Sequence, residues 1–272
     1  MKNEFQSSQG KIYFKVENPN ASETIVISSG IGQQISYWTP FIKLLQNKYR
    51  VVLFDLPNQG KSFFSKSPLE FDDYINVIDE LFEHLKIKDA VGIGVAFGAH
   101  VLKELAFKGK GYFSHLVLAS CFVHKDGKMT RHETNTYVTL KTALEDTDFF
   151  RLFGSGWLDA SYTQMFGNGY IRLREEEKNQ ALRKYITGVV SQMETLRNYN
   201  TKLNLSSLNR INIPVLVVHG DNDFLIPPGK GKELTKTLKQ GEFIRLKHTG
   251  HIVQESNPDA FAETVINFLS EH

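Results

Sequence analysis

Three residue types that together catalyse acyl transfer occur in order along this chain, but the first of them is replaced. Residues 94–98 read Gly-Val-Ala-Phe-Gly, a frame whose central position, here Ala96, carries a serine nucleophile in many hydrolases. Asp223 and His251 come later in the chain. In such a set a hydroxyl attacks a carbonyl, an imidazole moves the proton, and a carboxylate orients the imidazole. Alanine has no hydroxyl, so Ala96 cannot make this attack.

The segments on either side of Ala96 predict a tight strand-to-helix turn. An apolar run at residues 90–93 precedes the frame, and residues 99–107 have a helical pattern. A turn of this kind raises one side chain above the end of a sheet. The flanking Gly94 and Gly98 suit it, because the turn is tight and another backbone passes close by. The chain therefore keeps the support for a nucleophile without the nucleophile itself.

Strands alternate with helices along most of the chain, which predicts a mainly parallel sheet covered by helices on both faces. Strands are predicted at residues 11–17, 24–28, 50–55, 90–93, 116–119, 214–219 and 241–247, and helices at 73–86, 99–107 and 260–269. Residues 124–208 break this pattern with helical spacing and many aromatic residues. We interpret them as a helical cap, or lid, over a core domain of residues 1–123 and 209–272. Aromatic side chains of such a cap would line an apolar pocket, and we expect Phe153, Trp157 and Phe166 among them.

Four loops resemble those of the α/β-hydrolase superfamily, and the resemblance covers nearly the whole chain. They are the turn around Ala96, the acid loop with residues 214–220 and Asp223, the histidine loop at residues 250–251, and the loop at 54–62. The resemblance implies an α/β-hydrolase fold with nucleophile, acid and histidine in that order. It also favours Asp223 over Asp221 as the acid, since Asp221 stands where such loops are fixed by backbone hydrogen bonds.

The resemblance further implies an oxyanion hole made of backbone N–H groups. One donor is that of Phe97, the residue after the nucleophile position, and the other comes from the loop at residues 29–32, where Ile31 is expected to supply it. Gly30 is expected to line the substrate site beside them. Ser29 stands where similar sequences carry histidine, so we expect different hydrogen bonds to support this loop.

Three readings of Ala96 remain open. The acid, the base, the glycines and the oxyanion loop are all kept, which favours an active hydrolase in which an engineered alanine has replaced the serine. The chain as written is then inactive or strongly impaired. A second reading is a non-catalytic ligand-binding protein. In the third, His251 and Asp223 act alone as a general base.

The favoured substrate is an ester or thioester with a hydrophobic acyl group. Residues 51–57 with Gly60 and Ser62 also resemble, more weakly, acyltransferases that move 3-hydroxyacyl groups from acyl carrier protein. A carrier-bound substrate, on coenzyme A or on the carrier protein, is therefore considered, as are acyl transfer and hydrolysis of a carbon–carbon bond. Basic residues at the start of the cap could contact a carrier's phosphate, although a solvated loop is the simpler reading: Lys125, Lys128, Arg131 and His132.

Composition narrows the remaining classes of function. The 272 residues carry a formal net charge of +2, which gives no indication of a nucleic-acid partner. We predict no membrane span, no metal and no cofactor, because neither a long apolar run nor ligand spacing is present. The single Cys121 and a polar start predict a cytoplasmic protein. Cys121 could replace the nucleophile, but a small buried thiol is the commoner case.

Overall fold

The computed structural model describes residues 3–45, 48–153, 175–199 and 208–272. Within these ranges an eight-stranded sheet has the order β1-β2-β4-β3-β5-β6-β7-β8. The first two strands join the sheet antiparallel, and all other neighbours are parallel. The prediction of a mostly parallel sheet is thus confirmed. The strands are β1 Glu4–Gln6, β2 Lys11–Glu17, β3 Thr24–Ser28, β4 Arg50–Phe54, β5 Ala90–Val95, β6 Phe113–Ala119, β7 Val215–Gly220 and β8 Gly241–Leu246.

Helices cover both faces of the sheet, since the side chains of the central strands alternate between two hydrophobic cores. In β3, Val26 belongs to one core, while Ile25 and Ile27 belong to the other. The first core lies under α2, α3 and α7, and the second under α1 and α9. The described helices are α1 Thr39–Leu44, α2 Phe71–His84, α3 Phe97–Phe107, α4 Gly127–Glu145, α5 Thr147–Phe153, α6 Glu175–Asn198, α7 Pro228–Thr235, α8 Val253–Ser256 and α9 Pro258–Glu271.

Helices α4, α5 and α6 are inserted between β6 and β7. They form a small core of their own, which includes Leu140 of α4, Phe150 of α5 and Ile186 of α6. The partly buried Ile31 packs against that core from the sheet side. The limits of the cap, 124–208, stay a prediction, because residues 154–174 and 200–207 lie outside the described ranges.

Local chemistry explains where the helix limits differ from the sequence prediction. Helix α2 begins at Phe71 rather than 73, because Glu70 and Asp73 form a capping box. It ends at His84, shortly before Lys86 adopts a φ of 53°. The segment that includes Lys128 and Arg131 is not a loop but part of α4, whose first N–H groups are capped by Asp126.

Candidate active site

Ala96 lies at a sharp turn between β5 and α3, with φ 48° and ψ −114°. This backbone region is sparsely populated by residues other than glycine, so surrounding contacts must hold it. The N–H of Ala96 donates to the carbonyl oxygen of Ala119 at 2.9 Å, and its carbonyl accepts from the N–H of His100 at 3.2 Å. The turn predicted for a nucleophile is therefore present around an alanine.

The glycines on either side of Ala96 are required by close backbone contacts. A Cβ placed on Gly98 would lie 2.4 Å from the carbonyl oxygen of Ser28, and one on Gly94 would lie 2.5 Å from the Cα of Ala99. Both distances are shorter than any side chain tolerates. These contacts bring the start of α3 against the ends of β3 and β5, and so fix the position of Ala96.

Asp223 and His251 form a hydrogen-bonded pair at the ends of the neighbouring strands β7 and β8. Asp223 Oδ2 accepts from His251 Nδ1 at 2.9 Å, which leaves Nε2 for proton transfer. Asp223 Oδ1 accepts the backbone N–H groups of Leu225 and Ile226 at 3.0 and 2.8 Å. Burial opposes ionisation of Asp223, but the bond to His251, its charge and these donors hold the pKa of the carboxyl below its usual value.

Asp221 has a different position. Its carboxylate accepts the N–H of Thr249 at 3.2 Å, and so ties the acid loop to the histidine loop. His251 Nδ1 bonds Asp223 Oδ2 at 2.9 Å, so Asp223 and not Asp221 is the carboxylate in contact with the imidazole.

Ser120 supports this pair, in a role that the sequence did not predict. It follows β6 with a φ of 48° and is fully buried. Its Oγ lies 2.9 Å from both Asp223 Oδ2 and the carbonyl oxygen of His251, so one hydroxyl proton serves two acceptors on two loops. No sequence motif indicates this contact, because it joins positions 103 and 131 residues apart.

The backbone N–H groups of Ile31 and Phe97 are among those near Ala96 for which the described residues supply no acceptor. They are the pair that the resemblance assigns to an oxyanion hole. The loop carrying Ile31 is held on both sides, since the Gly30 N–H donates to Gln33 Oε1 at 3.1 Å and the Gly32 N–H to Gln192 Oε1 at 3.0 Å.

Ser29 also takes part in this support, as an acceptor from Trp38 Nε1 at 2.8 Å. The prediction that other hydrogen bonds replace those of the usual histidine is in line with this contact. Because Gln192 lies on α6, the inserted helices also contact the loop that carries Ile31.

A cavity of about 810 Å³ joins these groups, and most of its lining is apolar. Gly30, Ile31, Ala96, Phe97 and His251 all line it. Asp223 lies behind His251, with its side chain fully buried. Apolar side chains of α4 and α6 form the opposite wall: Met129, Leu140, Val189 and Met193.

The cap residues expected to line the pocket cannot be placed. Trp157 and Phe166 lie outside the described residues, and so does the side chain of Phe153. Among the described residues, α4 and α6 place aliphatic and methionine side chains and the aromatic Tyr185 against the cavity.

Cys121, the alternative nucleophile, and the histidines at 124, 219 and 248 do not line this cavity. Cys121 is fully buried, burial raises the pKa of its thiol, and its side chain is not among those that line the cavity. His219 is buried, with its ring nitrogens 3.1 and 3.3 Å from the carbonyl oxygens of Cys121 and Ile226, and it braces the acid loop. His124 and His248 are exposed.

The basic residues at the start of the cap divide into two kinds. Lys128 and Arg131 are exposed on α4, whereas Lys125 and His132 reach the cavity. Lys125 Nζ donates to both oxygens of Glu133 at 2.8 and 2.7 Å and to the carbonyl of Leu196 at 3.0 Å. All three ammonium donors of Lys125 are thus occupied.

None of the helices within the described residues is long and apolar enough to cross a membrane. In the same ranges, no group of three or more His, Cys, Asp and Glu side chains is placed to hold a metal ion.

Comparison with known proteins agrees with this geometry. Residues 23–258 match the family described as alpha/beta hydrolase fold. An uncharacterized hydrolase, YugF of Bacillus subtilis (strain 168), is 24% identical over 94% of this chain and 93% of its own length.

Two solved structures share the fold. The alpha/beta hydrolase MGS-M2 from a Medee basin deep-sea metagenome library has a TM-score of 0.79 at 19% identity, covering 99% of this chain and 98% of its own. The enol-lactonase of Burkholderia xenovorans LB400 has a TM-score of 0.75 at 21% identity, covering 98% and 99%. Since the family match spans most of its length, the chain belongs to the alpha/beta hydrolase fold family.

Proposed function

We propose that this site is built to hydrolyse an ester or thioester with a hydrophobic acyl group, and that alanine stands in place of its serine nucleophile. The observation that carries the proposal is the backbone of Ala96, held at φ 48° and ψ −114°. Such a conformation costs about 1–3 kcal/mol for a residue other than glycine. An alanine gains nothing from it, whereas a serine there would project its hydroxyl into the cavity that His251 lines.

The serine form would work as follows. The serine Oγ attacks the carbonyl carbon of the substrate while His251 Nε2 takes its proton. Asp223 holds the imidazole through Nδ1 and stabilises its charged form. The negative oxygen of the tetrahedral intermediate accepts hydrogen bonds from the N–H groups of Ile31 and Phe97. His251 then protonates the leaving alcohol or thiol, and water releases the acyl group by the same steps in reverse order.

The cavity supports a hydrophobic acyl group. Side chains such as Leu140, Val189 and Met193 line about 810 Å³ of space, enough for a medium-length chain or an aryl group. A coenzyme A or carrier-protein thioester remains compatible with this volume. Lys125 has no N–H left to donate to the phosphate of such a carrier, because its three donors are occupied. Acyl transfer and carbon–carbon hydrolysis are alternatives that use the same nucleophile.

The Ala96→Ser variant tests the proposal. We expect it to release product from aryl esters or acyl-coenzyme A with a burst, and to exceed the chain as written by up to about 10⁶-fold in kcat. The Ala96→Ser, His251→Ala double variant is the matched control and should be close to inactive. A panel with aryl esters, acyl-coenzyme A and a β-diketone separates the reaction types. If the serine variant cleaves only the diketone, the ester assignment is wrong; if it cleaves nothing, the nucleophile assignment is wrong.

A second candidate function uses the chain as written. The hydrogen bond between His251 and Asp223 is intact and His251 lines the cavity, so the pair could remove a proton from a substrate without any nucleophile. Turnover by the unmodified chain that disappears in His251→Ala would support this function. Ligand binding without turnover in both forms would instead identify a binding protein.

A further inference from the structure

His100 lies in the wall of the cavity, one helical turn beyond the proposed nucleophile position. It is fully buried, it lines the cavity, and its N–H bonds the carbonyl of Ala96 at 3.2 Å. Four residues of helix correspond to about 6 Å along the axis. The rings of Phe122 and Tyr199 pack edge-on against the imidazole, at centroid distances of 4.5 and 5.7 Å, and hold its plane.

The contact with Lys103 fixes which nitrogen of His100 carries the proton. His100 Nδ1 lies 3.2 Å from Lys103 Nζ. Burial, followed by the charges of Lys103 and Lys125, holds the pKa of His100 well below its usual value, so the ring is neutral. A lysine ammonium has only donors, so Nδ1 accepts and the proton is on Nε2.

The Nε2–H of His100 has no acceptor in line with it among the described residues. Cys121 Sγ is in contact with the ring, 3.9 Å from Nε2 and 3.8 Å from Nδ1. A sulfur almost equidistant from both ring nitrogens cannot lie along either N–H direction. The wall of the cavity thus contains a buried, oriented donor that the fold does not use.

Lys103 places a positive charge behind this donor. Its side chain is fully buried, and within the described ranges His100 is its hydrogen-bond partner and no carboxylate forms an ion pair with it. Burial raises the pKa of the Cys121 thiol and burial with Glu104 raises that of the Tyr199 phenol, so neither is the missing anion. An isolated buried charge is strongly unfavourable unless an opposite charge comes near.

We propose that His100 binds a carboxylate on the acyl part of the substrate, with Lys103 as the positioning residue that supplies the charge behind it. The Nε2–H donates to the carboxylate, and the carboxylate compensates the buried ammonium through the imidazole. The inference rests on the proposed function because it takes the cavity as the acyl pocket. It specifies the substrate class as an ester or thioester whose acyl chain carries a second, ionised carboxyl group.

Binding to the chain as written tests the proposal directly, because without the serine hydroxyl the ligand is not consumed through position 96. The probes are monomethyl adipate and methyl adipamate, which has a primary amide in place of the carboxylate. By isothermal titration at pH 7.5 we expect the carboxylate to bind about tenfold more tightly or better, as for a hydrogen bond to a charged group. Equal affinities, or no binding of either probe, would overturn the proposal.

Variants locate the source of that preference. His100→Phe keeps a ring but removes the donor, and Lys103→Met keeps the chain length but removes the charge. Both should reduce the preference for the carboxylate to about twofold or less. Lys108→Met is the matched control, since Lys108 lies at the end of the same helix and bonds Asn76 outside the cavity. Melting curves verify that each variant is folded, and an unchanged preference in Lys103→Met would contradict the role of its charge.

The serine variant separates this inference from the proposed function. If Ala96→Ser hydrolyses uncharged esters as fast as monomethyl adipate, the hydrolase proposal stands and the carboxylate subsite is wrong. If it hydrolyses nothing while the carboxylate preference persists in binding, the subsite stands and the hydrolase proposal is wrong.

Discussion

Replacement of Ser120 by alanine measures how strongly the acid loop and the histidine loop are held together. Its hydroxyl contacts the Asp223 carboxylate and the carbonyl of His251, each at 2.9 Å, in a fully buried position. A hydrogen bond to a charged group contributes about 1.5–3 kcal/mol. Ser120→Ala should therefore lower the free energy of unfolding by about 2–3 kcal/mol at neutral pH, with no change of fold.

The decrease in unfolding free energy caused by Ser120→Ala should depend on pH, and the pKa of Asp223 determines the direction of this dependence. The folded state holds the pKa of this carboxyl below the ordinary value of 3.8, so its contribution is present above about pH 4 and disappears as pH falls through the folded pKa. Removing the Ser120 hydroxyl raises the folded pKa. The difference in unfolding free energy between the two proteins should stay constant above about pH 5 and shrink below about pH 4.

Urea denaturation at several pH values, followed by circular dichroism, measures both effects. Ser114→Ala is the matched control: its hydroxyl lies on β6 and contacts the carbonyl of Ala90 at 3.4 Å and His115 Nδ1 at 3.0 Å, but no carboxylate. The control should cost less than about 1 kcal/mol at every pH. If Ser120→Ala costs no more than the control, or the same at pH 3 as at pH 7, the charged hydrogen bond does not hold the loops.

Three further changes test other parts of the structure. Ala96→Gly should raise the free energy of unfolding by about 1 kcal/mol in urea, because it relieves the backbone strain, whereas Ala106→Gly inside α3 should lower it by about 1 kcal/mol. Burial of Asp55 raises its pKa from 3.8 to about 6, so the folded state retains a proton that the unfolded chain has lost. The free energy of unfolding should therefore fall by about 3 kcal/mol as the pH rises from about 4 to 6. Asp55→Asn should remove this dependence on pH. Gln192→Leu should lower the free energy of unfolding by about 2–3 kcal/mol, and Thr187→Ala, on an exposed part of the same helix, by less than 1 kcal/mol.

Much of the site follows from sequence because its parts are local. The turn at Ala96 needs glycines at fixed neighbouring positions, and the acid and the histidine each follow the end of a strand within a few residues. Parallel strands bring their carboxyl ends to one edge, so local signals suffice to bring Asp223 and His251 together. The observed bond of 2.9 Å between them is consistent with that reasoning.

Other features could not be predicted, because they depend on contacts between distant segments. Ser120 acts on a residue 103 positions away, and Gln192 acts on one 160 positions away. Neither residue type has a local pattern that indicates such a partner. His100 follows no sequence pattern that indicates a site; its position at the cavity and its contact with Lys103 emerge only when α3 is placed beside β6.

Gln192 joins the inserted helices to the loop that carries Ile31. Its side-chain oxygen accepts from Gly32, next to the proposed donor Ile31, while its nitrogen donates to the carbonyl of Pro57 and to Gln59 Oε1. One buried side chain of α6 thus bonds two separate loops of the sheet domain. Because these bonds form only when α6 lies against the sheet, displacement of α6 would free the Gly32 N–H and loosen the loop that orients Ile31. The loop that carries the proposed oxyanion donor Ile31 is therefore held in its orientation by a residue of α6.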